Sequence, residues 1–161
     1  NLSEDILIES LDVVPANFHA RYSAQLRYYR YQCYTGNNVL FRNQSWITGQ
    51  LDQSILQSVA ETVVGEHDFL SFCKFRIDMK STVCKIYESV WKKKDKMLIY
   101  YVSGNRFLHH MVRYLTGTMV EISRGKFTIE SFLNLLNNPE KNVQIFKAPP
   151  QGLILYKVDY A

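Results

Sequence analysis

LRYYRYQCYT, residues 26–35, decides the fold class of this chain. Its residues are almost all aromatic or otherwise favoured in strands, so the stretch predicts a β-strand. Successive side chains of a strand point to opposite faces. Tyrosine and arginine therefore occur on both faces: Arg27, Tyr29, Tyr31 and Cys33 on one, and Tyr28, Arg30, Gln32 and Tyr34 on the other. Neither face is purely apolar.

This mixture of rings and guanidinium groups has two interpretations. An RNA-binding surface would use the rings to stack on exposed bases and the arginines to pair with phosphates. Alternatively, the strand belongs to the core, with its tyrosine rings packed inside and their hydroxyls at the rim. The pattern of this strand leaves both interpretations open.

Other stretches of the chain predict further strands and three helices. Alternating or β-favouring residues predict strands at 5–14, 84–93, 96–104 and 152–160, the middle two joined as a hairpin by a charged turn near Lys94. Apolar residues at three- and four-residue steps predict helices at 51–65, 105–122 and 128–137, with Thr128 as the N-cap of the last. The resulting expectation is an α+β fold: a largely antiparallel mixed sheet with helices packed on one face.

Composition indicates a globular protein without a membrane segment. Of the 161 residues 47% are hydrophobic and 21% charged, and the formal net charge is +4. No apolar run approaches the roughly 20 residues that cross a bilayer, and the first residues lack the features of a signal peptide, so a cytoplasmic location is expected. Three widely spaced cysteines, Cys33, Cys73 and Cys84, are expected to be reduced, half-buried thiols.

The predicted helix at 105–122 has two contrasting faces. One is apolar: Leu108, Met111, Val112, Leu115, Met119 and Ile122. Roughly opposite lie Arg106, His109, His110, Arg113 and Gly117. The second face could meet phosphates or hold a carboxylate, or it could be an ordinary solvated face.

Three further motifs contain residue types that serve in catalysis, metal binding or nucleic-acid binding. His67 and Asp68 in GEHDFLSF could act as a general acid and base, but a capping loop whose phenylalanines enter the core is favoured. His109 and His110, adjacent on a helix, are expected to splay by about 100°, so no shared metal is predicted. WKKKDK, residues 91–96, is a lysine cluster at the hairpin tip that would either add sequence-independent affinity for nucleic acid or keep the sheet edge soluble.

Four blocks of the sequence together resemble a known family. FHARYSAQLRYYRY, GEHDFLSF, NRFLHHMVRYLTGTMVEISRGK and APPQGLILYKVDY are similar, in order and spacing, to successive blocks of the tRNA pseudouridine synthases of the TruA type. The resemblance implies an isomerase that detaches uracil from ribose at N1, turns it and rejoins it through C5, with no metal or other cofactor. It also implies homodimers that act on tRNA anticodon-arm uridines at positions 38 to 40, with an active site in a cleft between two similar α+β halves.

The resemblance also implies roles for individual residues. Tyr29 matches the aromatic residue that stacks on the target uracil, and Leu153 matches the apolar wall of the uracil pocket. Arg113 matches the basic partner of the catalytic aspartate. His19, Arg21 and Arg27 lie in the block that in relatives approaches the RNA.

One departure from the family pattern concerns the catalytic carboxylate. The family's essential aspartate lies in a Gly-Arg-Thr-Asp loop, and no aspartate of this sequence follows Arg-Thr. The expectation is that residues 1–161 are the C-terminal domain of the enzyme, that the aspartate belongs to an N-terminal domain upstream, and that this chain alone lacks turnover. The alternatives are a non-catalytic RNA-binding module and a structural dimerisation domain.

Overall fold

β1, Ala24–Tyr34, is hydrogen-bonded along both edges, and the rest of the sheet is arranged around it. The computed structural model describes residues 3–37 and 39–160. The other strands are β2 (Trp46–Ile47), β3 (Gly65–Asp68), β4 (Val83–Lys94), β5 (Met97–Gly104) and β6 (Leu153–Tyr160). The order is β2-β1-β5-β4-β3, and β6 also pairs with β1. Of the pairings described, only that of β1 with β2 is parallel, so the predicted mixed, largely antiparallel sheet is confirmed.

The aromatic strand contributes its centre to the core. Tyr31 and Cys33 are fully buried, and Tyr34 is nearly so. The predicted hairpin of β4 and β5 is confirmed, and Trp91 stacks on Tyr100 across it with ring centroids 5.2 Å apart. The core interpretation of the tyrosines therefore holds for this part of β1.

Three α-helices complete the fold: α1 (Gln53–Glu61), α2 (Met111–Ser123) and α3 (Ile129–Asn137). All six residues of the apolar face predicted for the helix at 105–122 are buried, five of them on α2 and Leu108 in the loop before it. The indole Nε1 of Trp91 on β4 donates to the sulfur of Met119 on α2, at 3.4 Å, which fixes α2 against the sheet. Among residues 3–37 and 39–160, no helix has both the length and the hydropathy to cross a bilayer.

Side-chain caps define where α1 and α3 begin. Thr128 accepts a hydrogen bond from the backbone N–H of Ser131, at 3.1 Å, as its predicted N-cap role requires. Asp52 caps α1 by accepting from the backbone N–H groups of Ser54 and Ile55. Because α1 ends at Glu61, it has nine residues and is shorter than the predicted span of 51–65.

The prediction of a strand at residues 5–14 is wrong. In the described part of the chain this stretch forms no ladder with another strand. Its apolar side chains, among them Leu7, Leu11 and Val13, are largely exposed. Alternating residues produce a strand only where a neighbour supplies hydrogen bonds and a surface to cover, and neither is present here.

The predicted helix at 105–122 begins six residues late, at Met111. The preceding loop is held by the sheet instead: the side-chain oxygen of Asn105 accepts from the backbone N–H of Lys85, at 2.9 Å, and its carbonyl accepts from Arg27. His110 then adopts a left-handed backbone with φ of 65°, which a continuing helix cannot contain.

GEHDFLSF is a strand with a following turn rather than a capping loop. Gly65–Asp68 forms β3, antiparallel to β4, and Leu70–Phe72 forms a single 3-10 turn. The second half of the prediction is confirmed, because Phe69 and Phe72 are fully buried. Asp68 accepts from the backbone N–H of Leu70, at 3.0 Å, so it does cap the turn.

All three cysteines are free and buried. Burial raises the pKa of the Cys73 and Cys84 thiols to about 11, and raises that of Cys33 further still. They are more deeply buried than the half-buried thiols expected from the sequence.

The cap of α1 makes a pH-dependent prediction for stability. Hydrogen bonds from Ser54 and Ile55 favour the ionised carboxylate and hold the pKa of Asp52 below its ordinary value of 3.8. A depressed folded-state pKa stabilises the fold above the unfolded-state pKa, and the gain is lost as pH falls through the folded value. We expect Asp52→Ala to lower the free energy of unfolding at pH 7, and this difference to shrink below about pH 4.

Urea unfolding from pH 7 to pH 2 measures this difference. The matched control is Asp52→Asn, which keeps an acceptor at the N-cap but has no charge to titrate, so its difference from wild type should follow the same pH trend with smaller amplitude. A deficit of Asp52→Ala that is the same at every pH would contradict the assignment.

Candidate active site

A cavity of about 470 Å³ lies where β1, β6 and the loop before α2 meet. Tyr29 of β1 and Leu153 of β6 both line it, so the structure brings together these two residues predicted from different ends of the chain. Phe107 and Val112 supply much of the remaining apolar wall. The volume is within the range of small-molecule sites, and a planar ring would fit among these side chains.

Tyr29 is held half-buried at this cavity by pairing on both sides of β1. It lies opposite Val102 of β5 and Leu155 of β6. Its ring meets the edge of Phe107, with centroids 5.0 Å apart and planes at 77°. Burial raises the pKa of its hydroxyl, so Tyr29 presents a neutral phenol to the cavity. The side chain can offer a flat face and one hydrogen-bonding group.

Arg113 lies beside the cavity and is turned toward the chain before β6. Arg113 is half-buried. It comes directly after Val112, which lines the cavity, but does not line the cavity itself. Its Nε donates to the carbonyl oxygen of Ala148, at 2.7 Å. The backbone N–H of Ala148 in turn donates to the carbonyl of Arg113, at 3.0 Å. These two bonds anchor the backbone of Arg113 and the Nε side of its guanidinium to Ala148, and they leave the outer edge of the guanidinium to face a carboxylate.

His110 occupies the turn between the cavity and Arg113. Its Nδ1 is 3.5 Å from Nη1 of Arg113. Burial, reinforced by electrostatic interaction with His109, Lys147 and Arg113, lowers its pKa to about 4. His110 is therefore neutral at pH 7 and adds no charge beside the guanidinium.

The predicted splay of the two histidines is wrong. The rings of His109 and His110 are stacked, with centroids 3.9 Å apart, because the two residues precede α2 instead of lying within it. Across residues 3–37 and 39–160, no group of three or more His, Cys, Asp or Glu side chains is arranged to hold a metal ion.

Arg27, Arg21 and His19 are brought near the cavity in different ways. Arg27 donates hydrogen bonds to three carbonyl oxygens, those of Arg21, Ala24 and Asn105, and so ties the start of β1 to the loop before α2. Arg21 is exposed and lines the cavity. Nδ1 of His19 accepts from the backbone N–H groups of Arg21 and Tyr22, which shapes the turn that presents Arg21. Their predicted approach to RNA stays a prediction.

A wider groove of about 920 Å³ continues from the cavity along the same side of the molecule. Its lining is rich in cationic residues: Arg21, Arg27, Arg76, Lys80 and Arg106. One of these charges is neutralised, because Arg76 forms a bidentate pair with Asp78 at 2.9 and 3.1 Å. The groove is thus a basic channel that leads into the aromatic cavity.

Two residues of this site were not singled out by the sequence patterns. Phe107 is not among the residues of the predicted apolar helix face. In the structure it belongs to the loop before α2. Arg76 lies in the loop between Phe72 and β4, where no periodicity marks it. Neighbouring basic residues are a weak signal for both. Phe107 follows Arg106 just after the predicted strand at 96–104, and Arg76 lies between Lys74 and Lys80, ahead of the predicted strand at 84–93.

His67 and Asp68 do not form an acid–base pair in this structure. As neighbours on β3 their side chains point to opposite faces of the sheet. The ring Nε2 of His67 lies 3.1 Å from the carbonyl oxygen of Val64, and Asp68 caps the following turn. The structural role favoured from the sequence is confirmed for the capping Asp68 and the buried phenylalanines, although residues 65–68 form a strand and not a loop.

The lysines of WKKKDK are separate from the cavity. Trp91 is buried, while Lys92, Lys93 and Lys94 are exposed at the end of the hairpin. The turn pairs Lys94 with Met97, whereas Tyr29 faces Val102, five residues further along β5 and therefore roughly 17 Å away. None of these lysines lines the cavity or the groove beside it.

The segments of sequence that form this cavity match known proteins. A family model described as tRNA pseudouridine synthase matches residues 59–161, which include Arg113 and Leu153. The tRNA pseudouridine synthase A of Dictyoglomus turgidum is 38% identical over 162 residues, covering 99% of this chain and 66% of the relative. The corresponding proteins of Dictyoglomus thermophilum and Chlorobium limicola are 39% and 37% identical, again over 99% of this chain and 66% of the relative.

These matches extend over nearly the whole sequence, including β1 with Tyr29. The chain spans just under two thirds of the length of each of these three curated relatives, 66% in each case. The matched family model covers well over half of the chain. The chain therefore belongs to the tRNA pseudouridine synthase family.

Proposed function

We propose that this chain is the substrate-holding part of a tRNA pseudouridine synthase. The reaction is an isomerisation: the bond from N1 of uracil to C1′ of ribose breaks, a bond from C5 to C1′ forms, and the hydrogen lost from C5 is balanced by one gained at N1. The observation that carries the proposal is the cavity shared by Tyr29 and Leu153 at the end of a basic groove. The names of the relatives support it.

Tyr29 and Leu153 would hold the uracil once it has left the RNA stack. A base can react at its glycosidic bond only after it is extruded, and extrusion costs a few kcal/mol of lost stacking. The ring of Tyr29 offsets part of this cost by stacking on the base, and its fixed orientation against Phe107 means that little side-chain freedom is lost. Leu153 closes the opposite side and keeps water from the detached ring.

Arg113 would act on a carboxylate that this sequence does not contain. We propose that the essential aspartate is supplied by an N-terminal domain outside residues 1–161, since no aspartate among these residues follows Arg-Thr. A guanidinium fixed by Ala148 would keep that aspartate ionised and aimed at the sugar. Arg113 is then a positioning residue, and this chain alone has no turnover.

The basic groove would bind the tRNA, and we infer that its target is the anticodon arm at positions 38 to 40. Arg21, Lys80 and Arg106 lie along the groove and can pair with successive phosphates. By the same resemblance we propose that the enzyme acts in the cytoplasm as a homodimer that holds tRNA across both subunits.

The stacking role makes a prediction for Tyr29 in the complete enzyme. Tyr29→Ala should lower pseudouridine formation roughly 10- to 100-fold, since base–aromatic stacking contributes about 1–3 kcal/mol. Tyr29→Phe keeps the ring and should retain most of the rate. Release of tritium from C5-labelled uridine in tRNA measures both.

The control for Tyr29 is Tyr87→Ala, which removes an exposed ring on β4 outside the cavity. Its rate should equal that of wild type. A fully active Tyr29→Ala enzyme would rule out the stacking role.

The carboxylate-holding role makes a prediction for Arg113. Arg113→Lys keeps the charge but loses the planar fork, so we expect the rate of the chemical step to fall about 100-fold with tRNA affinity within twofold. The matched control is Arg124→Lys, at the far end of α2, where the guanidinium pairs with Glu121 at 2.7 Å. That variant should be less stable but equally fast, and equal losses in the two variants would contradict the role.

The groove makes a prediction about salt. Arg106 is exposed in the groove, so Arg106→Ala should reduce the slope of log Kd for tRNA against log salt by about one. Lys126→Ala, beyond the C-terminal end of α2, should leave the slope unchanged. Filter binding between 50 and 300 mM KCl measures both, and identical slopes for all three proteins would place the RNA elsewhere.

Tritium release by the complete gene product beside this chain tests the proposal as a whole. Turnover by the complete product alone supports it. Turnover by the chain alone would mean that one of its own aspartates does the chemistry, with Asp68 the first to test. No turnover with salt-dependent tRNA binding in both would indicate a non-catalytic RNA-binding module.

A further inference from the structure

Residues 146–152 run along the N-terminal half of α2, from Gly117 to Arg113, and lead directly into β6. This segment carries no regular structure until the 3-10 turn Pro150–Gly152, yet Ala148 is fully buried and Gly152 is buried as well. It connects the residue that holds Arg113 with Leu153, the wall of the cavity. What fixes this segment therefore fixes two parts of the proposed site together.

Gly117 allows the segment to lie directly against the backbone of α2. A Cβ atom at residue 117 would lie 2.3 Å from the carbonyl oxygen of Phe146 and 2.7 Å from the backbone nitrogen of Ala148. Both neighbours are backbone atoms, which cannot rotate away as a flexible side chain would. Gly117 is thus covered by the segment, so it does not belong to an exposed face with Arg106 and His109 as the helical pattern predicted.

The close approach at Gly117 is what brings Ala148 within reach of Arg113. Arg113 lies one helical turn before Gly117 on the same face of α2. Its side chain and its carbonyl each make a hydrogen bond to Ala148, at 2.7 and 3.0 Å. Bonds this short need the helix and the segment to be in contact, which glycine at 117 permits.

Tyr31 fixes the other end of the segment from the side of the sheet. Its hydroxyl, at the end of a fully buried side chain, donates to the carbonyl oxygen of Pro149 at 2.6 Å. Gly152 then packs on the same ring: a Cβ there would lie 2.8 Å from two ring carbons of Tyr31 and 2.7 Å from the carbonyl oxygen of Gln32. The segment is held between α2 and β1.

We propose that Gly117 and Tyr31 are positioning residues that set Arg113 and Leu153 relative to Tyr29. The inference rests on the proposed function, because it gives a task to the site defined there. Neither residue touches the uracil. Gly117 acts by letting Ala148 pack against the backbone of α2, and Tyr31 acts through its hydrogen bond to the carbonyl of Pro149.

The size of the effect follows from the contact distance. Ordinary van der Waals contact begins at about 3.4 Å, so alanine at 117 would displace the carbonyl of Phe146 by about 1 Å. A misplacement of this size, passed through Ala148 to Arg113, can cost about 100-fold in rate. The tRNA groove does not include the segment, so tRNA affinity should stay the same.

The first experiment measures single-turnover tritium release by the complete enzyme carrying Gly117→Ala. We expect a 10- to 100-fold slower rate with a Kd for tRNA within twofold of wild type. In an Arg113→Lys background the same change should slow the reaction less than threefold, because its effect passes through Arg113. The matched control is Thr116→Val in the same helix, which removes a buried hydroxyl with no hydrogen-bond partner in the described chain and should keep the wild-type rate.

The second variant, Tyr31→Phe, protects the test against loss of folding. It keeps the ring against Gly152 and removes only the hydrogen bond to Pro149, so the fold is retained and the rate should fall about 3- to 10-fold with tRNA affinity unchanged. Tyr34→Phe, in the same strand, is its control and should be as active as wild type. If Gly117→Ala fails to fold by circular dichroism, Tyr31→Phe decides the question.

The outcomes separate this inference from the proposed function. Wild-type rates in folded Gly117→Ala or in Tyr31→Phe would overturn the positioning role while leaving the synthase intact. Independent, multiplicative losses from Gly117→Ala and Arg113→Lys would also overturn it. An inactive wild-type gene product would instead defeat the proposed function itself.

Discussion

Pairing along both edges of β1 is the constraint on which the rest of the molecule depends. With β5 on one side and β6 on the other, the strand cannot twist its side chains away from their assigned faces. The face shared by Tyr29 and Tyr31 then divides along its length. Tyr31 is covered by the segment before β6 and becomes core, while Tyr29 lies beyond that cover and lines the cavity. The core interpretation of the aromatic strand is correct at Tyr31. Stacking on a base stays a proposal for Tyr29, whose ring lines the cavity on the same face.

The electrostatics of this site depend on a neutral histidine, His110, as well as on its positively charged arginines. The groove carries several guanidinium groups, and Arg113 adds another beside the cavity. A protonated His110 next to it would repel Arg113 and compete for any carboxylate that approaches. Because burial and the surrounding cations keep His110 neutral, the guanidinium is left as the local charge that a carboxylate would meet.

Much of the fold could be predicted from the sequence because its signals are local. The β4–β5 hairpin, the cap at Thr128 and the apolar face of α2 each depend on residues within a few positions of one another. The errors have a common cause in tertiary contacts. Asn105 is held by Lys85 and Arg27, which delays the start of α2, and β3 exists because residues 65–68 find a partner in β4.

The site divides in the same way. Tyr29, Arg113 and Leu153 could be proposed from the sequence, because each lies in a block that resembles the family and can be matched to a family position. Phe107 and Arg76 come from loops whose positions only the fold determines, and no periodic pattern marks them. The role of Gly117 was hidden for a further reason: glycine on a helix has no side chain to report a contact, and the backbone against it comes from about thirty residues further along the chain.

The three buried cysteines can serve as internal probes of local unfolding of the sheet. A thiol reacts as its thiolate, and burial holds the pKa of all three above the ordinary value, so alkylating reagents and oxidants find little thiolate while the fold is closed. Cys33 lies at the centre of the sheet on β1, Cys84 on β4 beside β3, and Cys73 just after the 3-10 turn. The order in which they become alkylated thus reads out which part of the sheet separates first, without any label having to be introduced.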